Sequence, residues 1–143
     1  MNKRNKGFSL IELIVVVAII GTLAAIAIPI YNNHRASAFR ADAKTALMEG
    51  AQNMERFFVR SPNGTYVGAT IADPPGPNDQ VRQWTQGRRY ELTFRAPANP
   101  ANPGPPTADA FVIRATPTFN DRCGWLQINH LGAKTSEINA NCW

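Results

Sequence analysis

The chain carries two successive hydrophobic patterns. From Leu13 to Ile30 the residues are almost all aliphatic or small, with no polar face, and the stretch stays uncharged through Asn33. As a helix that run is long enough to cross a hydrocarbon core about 30 Å thick. Beyond it the pattern turns amphipathic. Ala36, Phe39, Ala43, Leu47, Gly50, Met54 and Phe57 recur at intervals of three or four, while Arg35, Arg40, Asp42, Lys44, Glu49, Glu55 and Arg56 fall mostly off that stripe. The spacing predicts continued helix, now with one face laid on a soluble domain. From Phe8 to about Val59 the two patterns make one helix of roughly 75 to 80 Å at 1.5 Å per residue.

Ser61-Pro62-Asn63-Gly64 ends the helix with turn chemistry. Asp73-Pro74-Pro75-Gly76-Pro77-Asn78-Asp79 cannot be a regular strand or helix and reads as an exposed loop. Tyr90 to Arg95 alternates as a strand does, and Ala110 to Thr116 and Gly124 to Asn129 are two further strands. A proline-rich stretch from Ala96 to Thr107 separates the first two and is expected to be irregular. The resulting class is α+β, a long N-terminal helix packed on a small antiparallel sheet. No internal repeat and no second domain of independent size is visible. The proline-rich loops are expected to be either variable contact surfaces or passive connectors.

Charge changes the picture at the N-terminus. Lys3, Arg4 and Lys6 precede the apolar run with no acid among them. The positive-inside rule therefore keeps the leader cytoplasmic and places the bulk of the chain outside the membrane. A cleaved secretory signal has a shorter apolar region, and although Ala25 and Ala27 mimic a cleavage motif, Ile28-Pro29-Ile30-Tyr31 is a poor exit from one. Glu12 stands at the front edge of the apolar run. A carboxylate there costs up to roughly 2.5 to 3.5 kcal/mol at mid-bilayer and less near the interface. It is either an interfacial group beside lipid headgroups or half of a pair whose cation arrives later. Gly21 and Pro29 both weaken helix propensity, and Pro29 removes a backbone hydrogen bond, so a kink or local melting is expected near Pro29.

The string from Lys6 to Ala38, KGFSLIELIVVVAIIGTLAAIAIPIYNNHRASA, closely resembles the N-terminus of type IV pilins. The resemblance covers roughly the first forty residues. It implies that a membrane aspartyl protease, the prepilin peptidase, cuts between Gly7 and Phe8 and N-methylates Phe8. Glu12 occupies the motif's glutamate position and Pro29 its helix-interrupting proline. The implied organisation is a cleaved leader over 1–7, a transmembrane and filament-core helix over 8–30, and an amphipathic helix with an extracytoplasmic head over 31–143. The cut lowers the formal charge from +5 to +2 by removing Lys3, Arg4 and Lys6. It also creates an α-amino cation at Phe8, with which Glu12 of a neighbouring subunit can pair far more strongly than in water.

Cys123 and Cys142 are the two cysteines of the chain. In an extracytoplasmic segment a disulfide is the natural reading, and a loop of that length contributes about 3 kcal/mol. Two free thiols, or a metal site with His34 or His130, are the alternatives. The resemblance agrees with a bridge, since type IV pilins commonly close a C-terminal loop this way. The Cys123-Gly124 start and Cys142-Trp143 finish look like the minor pilins of the type IVa group.

Asp109, Asp121, Ser136 and Glu137 lie near His130 in sequence, but no spacing marks a nucleophile, an acid/base pair or a phosphate loop. The chain is expected to be no enzyme and to need no cofactor or metal. Arg82, Trp84, Arg88, Arg89 and Tyr90 put basic and aromatic groups together, with Arg114 and Arg122 as candidates for the same face. Duplex or single-stranded nucleic acid needs such groups, which makes DNA contact at Arg82, Arg88 and Arg89 a competing expectation. The reading that follows is a structural subunit of a type IV pilus supporting pilus biogenesis, adhesion or twitching motility. Its expected partners are other pilin subunits, the prepilin peptidase, the inner-membrane assembly machinery and the membrane. The precursor is expected to span the inner membrane once, N-terminus cytoplasmic, and then to reach the cell surface. The alternatives are a type II secretion pseudopilin, a DNA-binding pilin and a plain signal-anchored surface protein.

Overall fold

A single α-helix, α1, runs from Leu10 to Arg60 in the structure, a computed structural model that describes residues 8–76, 79–138 and 140–143. The basic leader with Gly7, and Pro77 and Asn78 of the first proline-rich loop, lie outside the described residues. The chain forms two units, 1–37 and 38–143. In the first, every described side chain from Phe8 to Leu23 is exposed, Ala24 and Ala36 being half-buried. α1 remains helical through Gly21 and Pro29. Of the two expected outcomes, a kink or local melting, the second does not occur: the helix is continuous at Pro29, with i to i−4 bonding on either side.

The second unit has its own core. Among the described residues, seven strands follow α1: β1 (Ile71–Ala72), β2 (Val81–Arg82), β3 (Tyr90–Ala96), β4 (Asn99–Pro103), β5 (Val112–Pro117), β6 (Leu126–Asn129) and β7 (Lys134–Ser136). β1 and β2 form a short parallel pair, and the others an antiparallel sheet in the order β4-β3-β5-β6-β7. The three expected strands are its centre, in register Leu92 to Ala115 and Ile113 to Ile128. β4 departs from the expectation of an irregular stretch. It lies at the sheet edge, paired at Arg95 to Pro103 and Ala96 to Asn99, where prolines without N–H groups are tolerated. β7, also not expected, takes the other edge.

Alternation puts Tyr90, Leu92, Ile113, Ala115, Leu126 and Ile128 on the sheet's inner face, where all are buried with Ala43, Ala46, Leu47 and Met54 of α1. Gly50 lies close against the sheet: a Cβ there would stand 3.3 Å from Ile113 and from Val81, and those side chains would have to give by a few tenths of an ångström to accept it. The helical stripe continues at Phe58 rather than at the expected Phe57, since Phe58 lies one turn beyond Met54 and its ring centroid is 4.7 Å from that of Tyr66. Tyr66, itself buried, donates from its hydroxyl to Glu55 Oε1 at 2.9 Å.

Arg40 contradicts its expected place on the solvated face. Its Nε donates to both carboxylate oxygens of Asp121, at 3.0 and 3.1 Å, and the two side chains are 10% and 0% exposed. The Tyr90 hydroxyl donates to the same carboxylate. The Cys123 amide does so too, at 3.1 Å. Four elements therefore meet on one carboxylate: α1, β3, the turn at Asp121 and the start of the disulfide loop. Cys123 and Cys142 are bonded, with Cα atoms 5.8 Å apart. Trp143 closes the same region by donating from its indole to Thr135 O at 2.7 Å.

Removing Asp121 leaves a buried, unpaired guanidinium. Asp121→Ala should lower the unfolding free energy by about 3 to 5 kcal/mol in urea titration, whereas Tyr90→Phe should cost only about 1 kcal/mol. The phenol of Tyr66 is pushed up to about 12, first by burial and then by the Glu55 hydrogen bond and charge. Its folded pKa lies above its unfolded value near 10, so its contribution is complete below pH 10 and is lost as pH climbs toward about 12. Denaturation at pH 9 and pH 11 should show a smaller alkaline loss in Tyr66→Phe than in the parent.

Candidate functional site

The first candidate is the start of α1. Glu12 lies in the first turn, where the helix dipole favours a carboxylate. It is exposed and, among the described residues, has no ion-pair partner. Phe8 is 81% exposed, and Leu10, Ile11, Leu13, Ile14 and Val17 are each more than half exposed. The apolar window of α1 has mean hydropathy 2.9 and buries none of its surface within the chain. So long an apolar surface is stable only in lipid or against other apolar helices. The geometry therefore presents Glu12 as the lone carboxylate of an uncovered apolar helix.

The second candidate is the basic and aromatic set in the head. The structure separates it. Arg82 of β2 pairs with Glu49 of α1. Arg88 pairs with Asp73 at 2.5 Å and lies over the Trp84 ring, 5.8 Å from its centroid. Arg89 is half-buried, 5.0 Å over the ring of Phe39, beside the edge-on contact of Phe39 with Phe119. Tyr90 is buried, and burial with the Asp121 carboxylate pushes its phenol far up. Arg114 is on the outer face of the sheet, 4.0 Å over Trp125, and donates to Gln127 and to Pro100 O. Burial, and then the neighbouring Arg95, hold the Arg114 guanidinium below its ordinary value. The expected single face of Arg82, Arg88 and Arg89 with Arg114 and Arg122 is thus replaced by separate sites, each arginine but Arg122 tied to a carboxylate, a carbonyl or a ring.

Sequence reasoning missed the Arg40, Asp121 and Tyr90 junction, and nothing in the local pattern marks it. The disulfide was legible. Among the described residues there are no free cysteines and no group of three His, Cys, Asp or Glu side chains able to hold a metal.

Residues 29–127 match the family model described as "Type IV minor pilin ComP, DNA uptake sequence receptor", and residues 2–28 match the prokaryotic N-terminal methylation motif. The chain belongs to the type IV pilins. This is a non-enzymatic, structural family. The type IV major pilin protein PilA of Myxococcus xanthus is 51% identical over 57 residues, covering 40% of this chain and 26% of that protein. The type IV major fimbrial protein FimA of Dichelobacter nodosus is 34% identical over 123 residues, covering 86% of this chain and 65% of that one. These alignments span less than two thirds of either relative's own length. A solved type IV pilin from Shewanella oneidensis is 26% identical, covers 76% of this pilin and 97% of that chain, and superposes with a TM-score of 0.49.

Because Arg82 and Arg88 sit in exposed ion pairs, this pilin should tolerate their loss. Arg82→Gln and Arg88→Gln should each change the unfolding free energy by less than about 1 kcal/mol, checked by the same urea titration as Asp121→Ala.

Proposed function

We propose that this pilin is a minor structural subunit of a type IV pilus, cut between Gly7 and Phe8 by the prepilin peptidase and N-methylated at Phe8. It then assembles through Glu12 and the Phe8 amine of a neighbouring subunit. The observation that carries this reading is the uncovered apolar helix with one carboxylate in its first turn. The match to the methylation motif over residues 2–28 supports the processing step. Before the cut, the cation that answers Glu12 does not exist. Afterwards, pairing inside an apolar bundle relieves the penalty of a lone carboxylate and fixes the axial step between subunits. The precursor is held in the inner membrane with its N-terminus cytoplasmic, and the head is carried outward into the filament. Its partners are other pilins, the peptidase and the inner-membrane assembly machinery, and its roles are pilus biogenesis, adhesion or twitching motility.

A second reading, contact with DNA, is favoured by one observation: the family model that matches residues 29–127 is described as a DNA uptake sequence receptor. The arginines 82, 88 and 89 do not supply one free surface for it.

Glu12→Val should be cut and retained in the membrane yet enter filaments poorly. N-terminal sequencing of sheared filaments from the parent should begin at methylated Phe8, and a Glu12→Val subunit present at parental proportion would overturn the pairing.

A further inference from the structure

Beside the disulfide, α1 and the C-terminal loop enclose a cleft of about 340 Å³ lined by Arg40, Lys44, Arg122, Ile138, Asn141 and the bonded cysteines. Its charge is unbalanced. Arg40 is neutralised by Asp121, but neither Lys44 nor Arg122 takes part in an ion pair among the described residues. Two carboxylates close to it in sequence are already engaged, and Asp42, between Arg40 and Lys44, is not among the lining residues. Asp121 is buried under Arg40 and Tyr90, and Glu137 Oε2 accepts the Trp125 amide at 3.2 Å. No carboxylate lines the cleft. Two other clefts of this unit differ in that respect. One faces Arg56 and Arg60 with Asp79, and the other faces Arg82 with Glu49 and Asp79. Asp79 is held below the usual carboxylate range by the Thr70 hydroxyl and the Gly76 amide.

The backbone that carries the two cations is tied down before any ligand arrives. Lys44 is half-buried and follows Arg40 by one helical turn on the same face of α1, so the buried Arg40 pair fixes where its backbone stands. Arg122 is exposed at the tip of a turn whose flanks are tied down, since Asp121 accepts the Cys123 amide through its side chain and the Gly124 amide, at 3.1 Å, through its carbonyl. Two cations on anchored backbone, without a counter-charge, form an oxyanion site.

We propose that this cleft binds phosphate oxygens of duplex DNA, with Lys44 and Arg122 as the contacting cations and the Cys123–Cys142 bridge as one wall. The proposal rests on the DNA reading given above and gives it a location away from Arg82, Arg88 and Arg89. Phosphate contacts position a duplex without reading its sequence, so this cleft supplies affinity and salt dependence and leaves base recognition to other groups.

The test is titration of the full-length chain in detergent micelles against a short fluorescent DNA duplex across a salt series. Lys44→Gln/Arg122→Gln should weaken low-salt binding on the order of tenfold and flatten the log K against log salt slope by about 1.8. Arg82→Gln/Arg88→Gln removes the same charge and should keep the parental slope. Equal flattening in the two double variants, or none in the first, overturns the cleft while the DNA reading stands. A parent that binds no duplex at low salt overturns both. Saturable binding of inorganic phosphate to the cleft by a chain indifferent to DNA replaces the duplex by a small anion and also overturns the proposal. Arg122 is exposed and Lys44 half-buried at the cleft, and an unchanged urea midpoint verifies that each variant is folded.

Discussion

The head of this pilin is organised around a single buried carboxylate. Asp121 accepts from Arg40 on α1, from Tyr90 on β3 and from the amide of Cys123. A buried ion pair is weak evidence for stability, since apolar residues of the same volume often do as well. Its effect here is registration. The apolar contacts of Ala43, Leu47 and Met54 with the sheet are non-directional and by themselves name no unique partner along it. A guanidinium that must meet a carboxylate 81 positions away does name one, and the disulfide loop inherits the alignment because it begins on the same oxygen.

The two units obey different solvents. Residues 38–143 bury their apolar groups within themselves, while the described part of 1–37 leaves leucines, isoleucines and valines uncovered. The second pattern is stable only where lipid or other apolar helices complete it. Glu12 is the one charge in that apolar stretch, and a carboxylate is costlier in lipid than the aliphatic side chains around it.

What could be read from the sequence follows from range. The apolar run, the amphipathic stripe and the three central strands are encoded by spacing within a dozen residues, and the structure has them where the spacing puts them, with the stripe ending on Phe58 instead of Phe57. The bridge was legible because the chain has only two cysteines. Arg40 was not, because a charge beside an apolar stripe looks solvated until a distant partner is known. The basic patch failed for the same reason in reverse. Arg82, Arg88 and Arg89 are neighbours along the chain, but Glu49, Asp73 and the ring of Phe39 claim them separately, and the unpaired cations Lys44 and Arg122 lie 78 positions apart. β4 was hidden by its prolines, which are allowed only because the strand is an edge.

That edge bears on how copies of this chain meet. An open sheet border with free amides invites a second chain to extend the ladder, and crowding many copies on a membrane raises that hazard. Here Pro100 and Pro103 offer no amide, and the carbonyls of Pro100 and Ala101 are already claimed by Arg95 and Arg114. The opposite border is a three-residue strand that begins with Lys134. The borders of the sheet therefore resist strand-by-strand extension, and the uncovered apolar stretch of α1 is a surface of a different kind, with no backbone ladder to extend.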